Sequence, residues 1–215
     1  MTTVYSYTIY HSSNAYLGTC LLRRALSAHP EVRLVRRPIF IPRERGVLVA
    51  ETLGGRENTR MSGYHREDCR RWADRYGIPL SFPAPHLFAE RAQRWARSPY
   101  HREELPARAF YAAAPDVRDR LDESLFEAAW VAGLDVNEPD TILWAARKSG
   151  IDGEELLAAC VGAQPGALAL AALDAFDEAQ CPGVPTATVN GERFLGKDRV
   201  DWVVDRCRQA SRVSC

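Results

Sequence analysis

The sequence predicts an α/β fold in which a β-α-β opening and a β-β-α ending enclose a long helical block. Three observations carry that expectation. Val4 to Tyr10 is rich in tyrosine and β-branched residues, and a helical pattern and a second strand pattern follow it. Near the other end, Pro185 introduces a β-branched run that reaches Asn190-Gly191 and then turns back. Between these halves, apolar residues recur at helical spacing over more than a hundred positions.

Each element has a local cause. Ser12-Ser13-Asn14 breaks the first strand, and Ala15 to Leu26 reads as a helix that ends near His29-Pro30. Val32 to Ile41 resumes a strand pattern, and parallel neighbours need a crossover such as this helix. Pro42 to Thr59 has no clear period and is expected to be a loop. Tyr64 to Tyr76 reads as a helix stopped by Gly77-Ile78-Pro79, with a shorter one from Leu87 to Ala96. Leu121, Leu125, Phe126, Ala129 and Trp130 keep helical spacing, as do Ile142, Leu143 and Ala146, then Leu156, Leu157 and Cys160, then Leu168 to Phe176. Trp72, Trp95, Trp130 and Trp144 fall among these helices and are expected in their cores.

Pro185 lacks the N–H that a ladder needs, so it introduces a strand rather than sitting inside one. Asn190-Gly191 is a strong hairpin signal because both central positions of a type I′ turn want φ > 0. Gly196-Lys197-Asp198-Arg199 then opens the run Val200, Trp202, Val203, Val204 and Cys207, read as a final amphipathic helix. A β-β-α tail behind an X-Pro bond is the C-terminal half of a thioredoxin-like fold, where that bond is usually cis. The expected architecture is therefore a thioredoxin-like domain from residues 1–61 and 181–215, with a helical insertion at 62–180.

Composition narrows the function classes. The 215 residues include 28 basic and 28 acidic side chains, so no global field favours nucleic acid or an anionic membrane. Lys148 and Lys197 are the lysines and the remaining basic residues are arginine. No leader or apolar span is evident, which gives the expectation of a soluble, cytoplasmic protein. Cys20, Cys69, Cys160, Cys181, Cys207 and Cys215 are dispersed without a C-x-x-C, arguing against a metal site or disulfide framework. Adjacent strand residues point to opposite faces, so His11 and Ser12 are a poor catalytic couple. His65, His86 and His101 lack ligand spacing.

In such a fold the loop after the first strand and the proline before the third converge, bringing Ser12 near Val184-Pro185. Dithiol oxidoreductases carry C-x-x-C in that loop, where the helix dipole stabilises a thiolate. Here the residues are Ser12-Ser13-Asn14-Ala15, which cannot exchange dithiols. A hydroxyl there can instead donate to an external thiolate, for which glutathione is the natural candidate. The backbone of Val184 can pair with an extended peptide, while the turn at Lys197 and Asp198 offers groups for a carboxylate and an ammonium. Each residue also has a plainer reading: Ser12 or Asn14 as helix cap, Lys197 and Asp198 as a helix start, Arg199 as an ion-pair partner.

On these residues the chain resembles the kappa-class glutathione transferases and the 2-hydroxychromene-2-carboxylate isomerases of the DsbA-like group. The family's Ser-Pro-Tyr-Ser-Trp/Tyr-Leu-Gly pattern falls on Ser12 to Gly18, and its Gly-x-Pro and Gly-x-Asp-Arg signatures fall on Gly183-Val184-Pro185 and Gly196 to Arg199. Tyr64 through Leu80 resembles the first insertion helix and its ending. Ser13 stands for the family's proline, Ile9 for a frequent aspartate, Thr52 near the asparagine of an Asn-x-Pro-Pro loop, and Met61 for a lysine, with Arg60 beside it.

The resemblance implies a homodimeric, glutathione-dependent isomerase or transferase acting on a small aromatic or conjugated substrate. Ser12 would be catalytic, with Val184, Pro185, Lys197, Asp198, Arg199 and Arg60 holding the cofactor and Asn14 and Thr52 meeting substrate. Neither a metal, a nucleic acid nor a membrane is implied. The alternative from another class is a thioredoxin-fold binding protein that does not use glutathione.

Overall fold

The computed structural model describes residues 1–45 and 56–213, with some side chains at 45, 56–62, 85–92 and 211–213 excepted. Two compact units divide the chain: Met1–Ile39 with Leu170–Cys215, and Phe40–Ala169.

In the first unit β1 (Thr2–Thr8) leads into α1 (Ser13–Leu26) and β2 (Val32–Pro38). β1 and β2 are parallel from Thr2↔Val32 to Thr8↔Pro38. Both strands stop short of the expected Tyr10 and Ile41. The Ile39 amide still donates to the Thr8 carbonyl at 2.9 Å, and after Thr8 the chain turns so that the Ser12 amide donates to the Ile9 carbonyl at 3.3 Å. β3 (Thr186–Val189) lies antiparallel to β1, and β4 (Glu192–Leu195) antiparallel to β3, giving the order β2-β1-β3-β4. The two-residue connection is Asn190 at φ 49° and Gly191 at φ 82°, the left-handed pair that the Asn-Gly signal predicts.

Register decides which sheet face is apolar. Val4, Ala187 and Val189 share one face and pack with Leu22 and Leu26 of α1 and Val203, Val204 and Cys207 of α9 (Val200–Val213). Trp202 departs from the expected apolar stripe: it is 59% exposed, with the Arg199 guanidinium 4.8 Å from its ring centre. Positions 200, 203, 204 and 207 complete an i, i+3, i+4, i+7 face without it. On the opposite sheet face Tyr7 meets Phe176 edge-on at 5.7 Å, and its hydroxyl accepts from Arg37 at 2.9 Å. Burial pushes the Tyr7 phenol up, against the lowering effect of Arg37.

The second unit holds α2 (Arg56–Tyr76), α3 (Pro85–Arg97), α4 (Glu104–Ala112), α5 (Arg118–Trp130), α6 (Pro139–Lys148) and α7 (Gly153–Cys160). α8 (Ala163–Glu178) contributes residues to both units. Leu121, Leu125, Phe126, Ala129, Ile142, Ala146, Leu156 and Cys160 are buried, as their spacing predicts. α2 begins at Arg56, eight residues before the expected Tyr64, because its first two turns are polar and leave no apolar period to read. α4 was not expected as an element of its own. Trp95 and Trp130 are buried, whereas Trp72 and Trp144 are half-buried beside Tyr76 and Lys148.

Candidate functional site

Three separate stretches of sequence meet in the first unit. The first is the start of α1. Ser12 is its N-cap, with extended backbone, and its hydroxyl oxygen accepts from the Ala15 amide at 3.1 Å. Capping uses a lone pair and leaves the hydroxyl proton to donate elsewhere. The first turn of α1 carries no acidic residue, so nothing there neutralises the positive end of the helix dipole.

The second stretch is Val184-Pro185, whose peptide bond is cis. Pairing of β3 with β1 begins at Thr186↔Tyr7, which leaves Val184 outside that ladder. The Thr186 hydroxyl donates to the Gly183 carbonyl at 2.6 Å. A Cβ on Gly18 would stand 3.0 Å from Pro185 Cγ, so α1 lies directly against the proline ring and glycine is what permits the approach.

The third stretch is Gly196 to Arg199. The Gly196 amide donates to the Pro185 carbonyl at 2.9 Å, fastening this turn to the cis bond. Gly196 has φ 104°, and a Cβ there would stand 2.5 Å from Asp198 Oδ1. Asp198 and Arg199 are half-exposed and pair with each other at 2.9 Å, matching the ion-pair reading of Arg199. A cavity of about 20 Å³ lies under the junction, lined in part by Gly18, Pro185, Phe194 and Gly196. It has room for about one water.

Lys197 and Asn14 take positions that their sequence context did not indicate. Asn14 sits in the first turn of α1 and is not its cap. Its amide oxygen accepts from Lys197 Nζ at 2.8 Å, across 183 residues of sequence. Lys197 is only 6% exposed, although it stands in a short turn that opens a helix. The signal in the sequence was the poor match between a lysine and a positive dipole end, but nothing in it named Asn14 as partner.

Of the remaining candidates, Thr52 lies outside the described residues, and Arg60 lies on α2 with its side chain outside them. Cys181 is half-buried, and its thiol is pushed up by burial. A buried charged cluster in the second unit escaped sequence reading altogether. Asp135 faces Arg91 at 3.8 Å and Arg94 at 3.6 Å and accepts from Trp95 Nε1 at 3.4 Å, while Arg102 stands 4.3 Å from the Trp95 ring centre. Among the described residues, no group of three or more His, Cys, Asp or Glu side chains is arranged to hold a metal ion. No single described helix is long and apolar enough to cross a membrane.

A sheet ordered β2-β1-β3-β4, a cis-proline just before β3 and α1 packed against that proline at Gly18 define a thioredoxin-like fold with a helical insertion. The chain belongs to the DSBA-like thioredoxin domain family, whose model matches residues 3–208. Among solved structures, a 2-hydroxychromene-2-carboxylate isomerase is similar at TM-score 0.73 and 22% identity, over 99% of this chain and 100% of that one. The cytosolic disulfide reductase DsbM from Pseudomonas aeruginosa, solved with GSH, is similar at TM-score 0.63 and 15% identity, over 99% and 100%. The oxidoreductase DsbA from Xylella fastidiosa is similar at TM-score 0.61 and 16% identity, over 99% and 87%. No curated protein matches the sequence. At these identities the likeness is one of fold, and the DsbA-like part of the resemblance is met.

Proposed function

We propose that the chain is a glutathione-dependent isomerase or transferase of the DsbA-like family, acting on a small aromatic or conjugated substrate. The observation that carries this reading is a serine at the N-terminus of α1, a helix that lies against Pro185 at Gly18, in a family whose model spans nearly the whole chain. Ser12 donates its hydroxyl proton to the glutathione sulfur while its lone pair caps α1. Hydrogen bonding to the charged form and the helix dipole both favour thiolate over thiol. The Val184 backbone, outside the β1 ladder, pairs with the cysteinyl backbone of the tripeptide, and Asp198 receives its ammonium.

In an isomerisation the thiolate adds to an electron-poor carbon of the substrate, and the former double bond becomes a rotatable single bond. Expulsion of the same thiolate then restores the double bond in the other geometry. In a transfer the thioether remains and a leaving group departs with the electron pair. The GSH in the DsbM structure and the isomerase among the structural neighbours support glutathione and this chemistry as the class to test.

The test is calorimetric titration of glutathione into the protein, with the ultraviolet thiolate absorbance followed near neutral pH. Binding with a thiolate signal that Ser12→Ala abolishes is the expected result. Absence of binding at millimolar glutathione would overturn the reading.

A further inference from the structure

After β2 the chain runs through a short strap, Phe40 to Arg43, that lies against the turn before α4 within the second unit. Four contacts fasten it. The Ile41 amide donates to the Arg102 carbonyl at 2.9 Å. Phe40 is buried, and its ring stacks on His101 with 5.4 Å between centres and 16° between planes. The Arg43 guanidinium donates to the carbonyls of Tyr100, at 3.0 Å, and of Ser98. The fourth contact is the Arg43 backbone amide, which donates to His101 Nδ1 at 3.2 Å.

Of the four, the last alone depends on a group that titrates near neutral pH. Backbone carbonyls, an arginine and a phenyl ring keep their character from mild acid to mild alkali, whereas an imidazole does not. To accept the Arg43 N–H, Nδ1 must present a lone pair, so His101 is held as the neutral ring with its proton on Nε2. A proton taken from solvent onto Nδ1 makes both ring nitrogens donors, and two N–H groups then face each other. The Arg43 amide loses its acceptor.

Charges of both signs surround the ring. Glu104 accepts from the His101 backbone amide at 2.8 Å and favours a positive imidazole, but its other oxygen is taken by Arg108 at 2.7 Å. Arg43 and Arg108 oppose that charge. Of the sequence neighbours, Arg102 stands over the Trp95 ring, Glu103 is fully buried and Glu44 is exposed. The Phe40 ring offers its face to an imidazolium as well as to an imidazole, so the stack outlasts the hydrogen bond.

We propose that His101 is an acid-sensitive latch: its neutral ring holds the Arg43 end of the strap, and protonation of Nδ1 releases that end while Ile41 stays paired with Arg102. Arg43 opens the 3-10 turn Arg43–Arg45, so that turn is what the latch holds.

The test follows the isotope-labelled, full-length protein by NMR between about pH 5 and 8. The His101 ring signal, assigned by its loss in His101→Phe, reports protonation. Water exchange at each backbone amide, corrected for its intrinsic pH dependence, reports protection. The expected result is a roughly fivefold loss of protection at Arg43 that tracks the His101 titration, with Ile41 unchanged. In His101→Phe, which keeps a ring against Phe40 and removes the acceptor, Arg43 should be unprotected at every pH.

Protection at Arg43 that stays constant while the ring titrates overturns the latch, and so does a ring that remains neutral down to about pH 5. Parallel losses at Ile41 and Arg43 would mean general opening rather than local release, and overturn it as well. If His101→Phe fails to fold, His101→Gln assigns the ring signal and the wild-type profile decides among the same outcomes. No readout involves glutathione, so the latch and the thiol reading fail separately.

Discussion

Alanine at Gly18 and alanine at Gly63 should change stability in opposite directions. Both glycines lie within helices, and replacing a helical glycine by alanine ordinarily gains about 1 kcal/mol. Around Gly63, in α2, a new Cβ meets nothing within 4 Å, so the full gain is expected. At Gly18 the Cβ would stand 3.0 Å from Pro185 Cγ and 3.5 Å from Lys197 Cα. Carbon atoms pack best at about 3.5–4.0 Å, so the proline ring must yield by roughly half an ångström.

Overpacking of that kind costs about 1–3 kcal/mol. Pro185 cannot yield freely, because its carbonyl holds the Gly196 amide at 2.9 Å. The balance is near zero to about 2 kcal/mol destabilising for Gly18→Ala, some 2 kcal/mol apart from Gly63→Ala. At about 2–4 °C per kcal/mol for a chain of this length, the melting temperatures should differ by roughly 4–8 °C. Differential scanning calorimetry of the two variants reads the difference directly. Equal stabilisation by both substitutions would refute the close contact between α1 and the cis-proline on which the site is built.

Two further outcomes follow from the same geometry. Gly196→Ala should lower the melting temperature by several degrees, since φ 104° is foreign to L side chains and the Cβ would stand 2.5 Å from Asp198 Oδ1; strain of this kind costs about 1–3 kcal/mol. An unchanged thermal melt would contradict it. Stability should also fall in alkali because burial raises the Cys160 thiol from 9.0 to about 11. Between those values the folded state keeps a proton that the unfolded state has lost, so unfolding is favoured as pH rises, by roughly 2–3 kcal/mol in total. Urea denaturation of the wild type against Cys160→Ala across that window checks this, and parallel pH profiles would count against it.

Much of this molecule was legible from local chemistry. A proline before a β-branched run, Asn-Gly between two short strands and a serine before an apolar helix each act within a few residues. The β3 start, the hairpin and the Ser12 cap accordingly stand where the sequence predicts. Element ends were less legible. The polar first turns of α2 hid its start at Arg56, and Val200, Val203, Val204 and Cys207 formed a complete helix face that left Trp202 outside. Periodicity reports where apolar side chains gather and is silent where a helix is polar on every side.

By itself, then, the sequence determined the order of the strands, the proline before β3 and a serine without a C-x-x-C at the start of α1, because backbone preferences and the presence of a sulfur are properties of single residues. Only the tertiary structure decided that Lys197 is buried, that Asn14 holds it across 183 residues, and that Gly18 lets α1 touch Pro185. Burial and charge neighbourhood are sums over everything packed around a group, and no stretch of chain carries that sum.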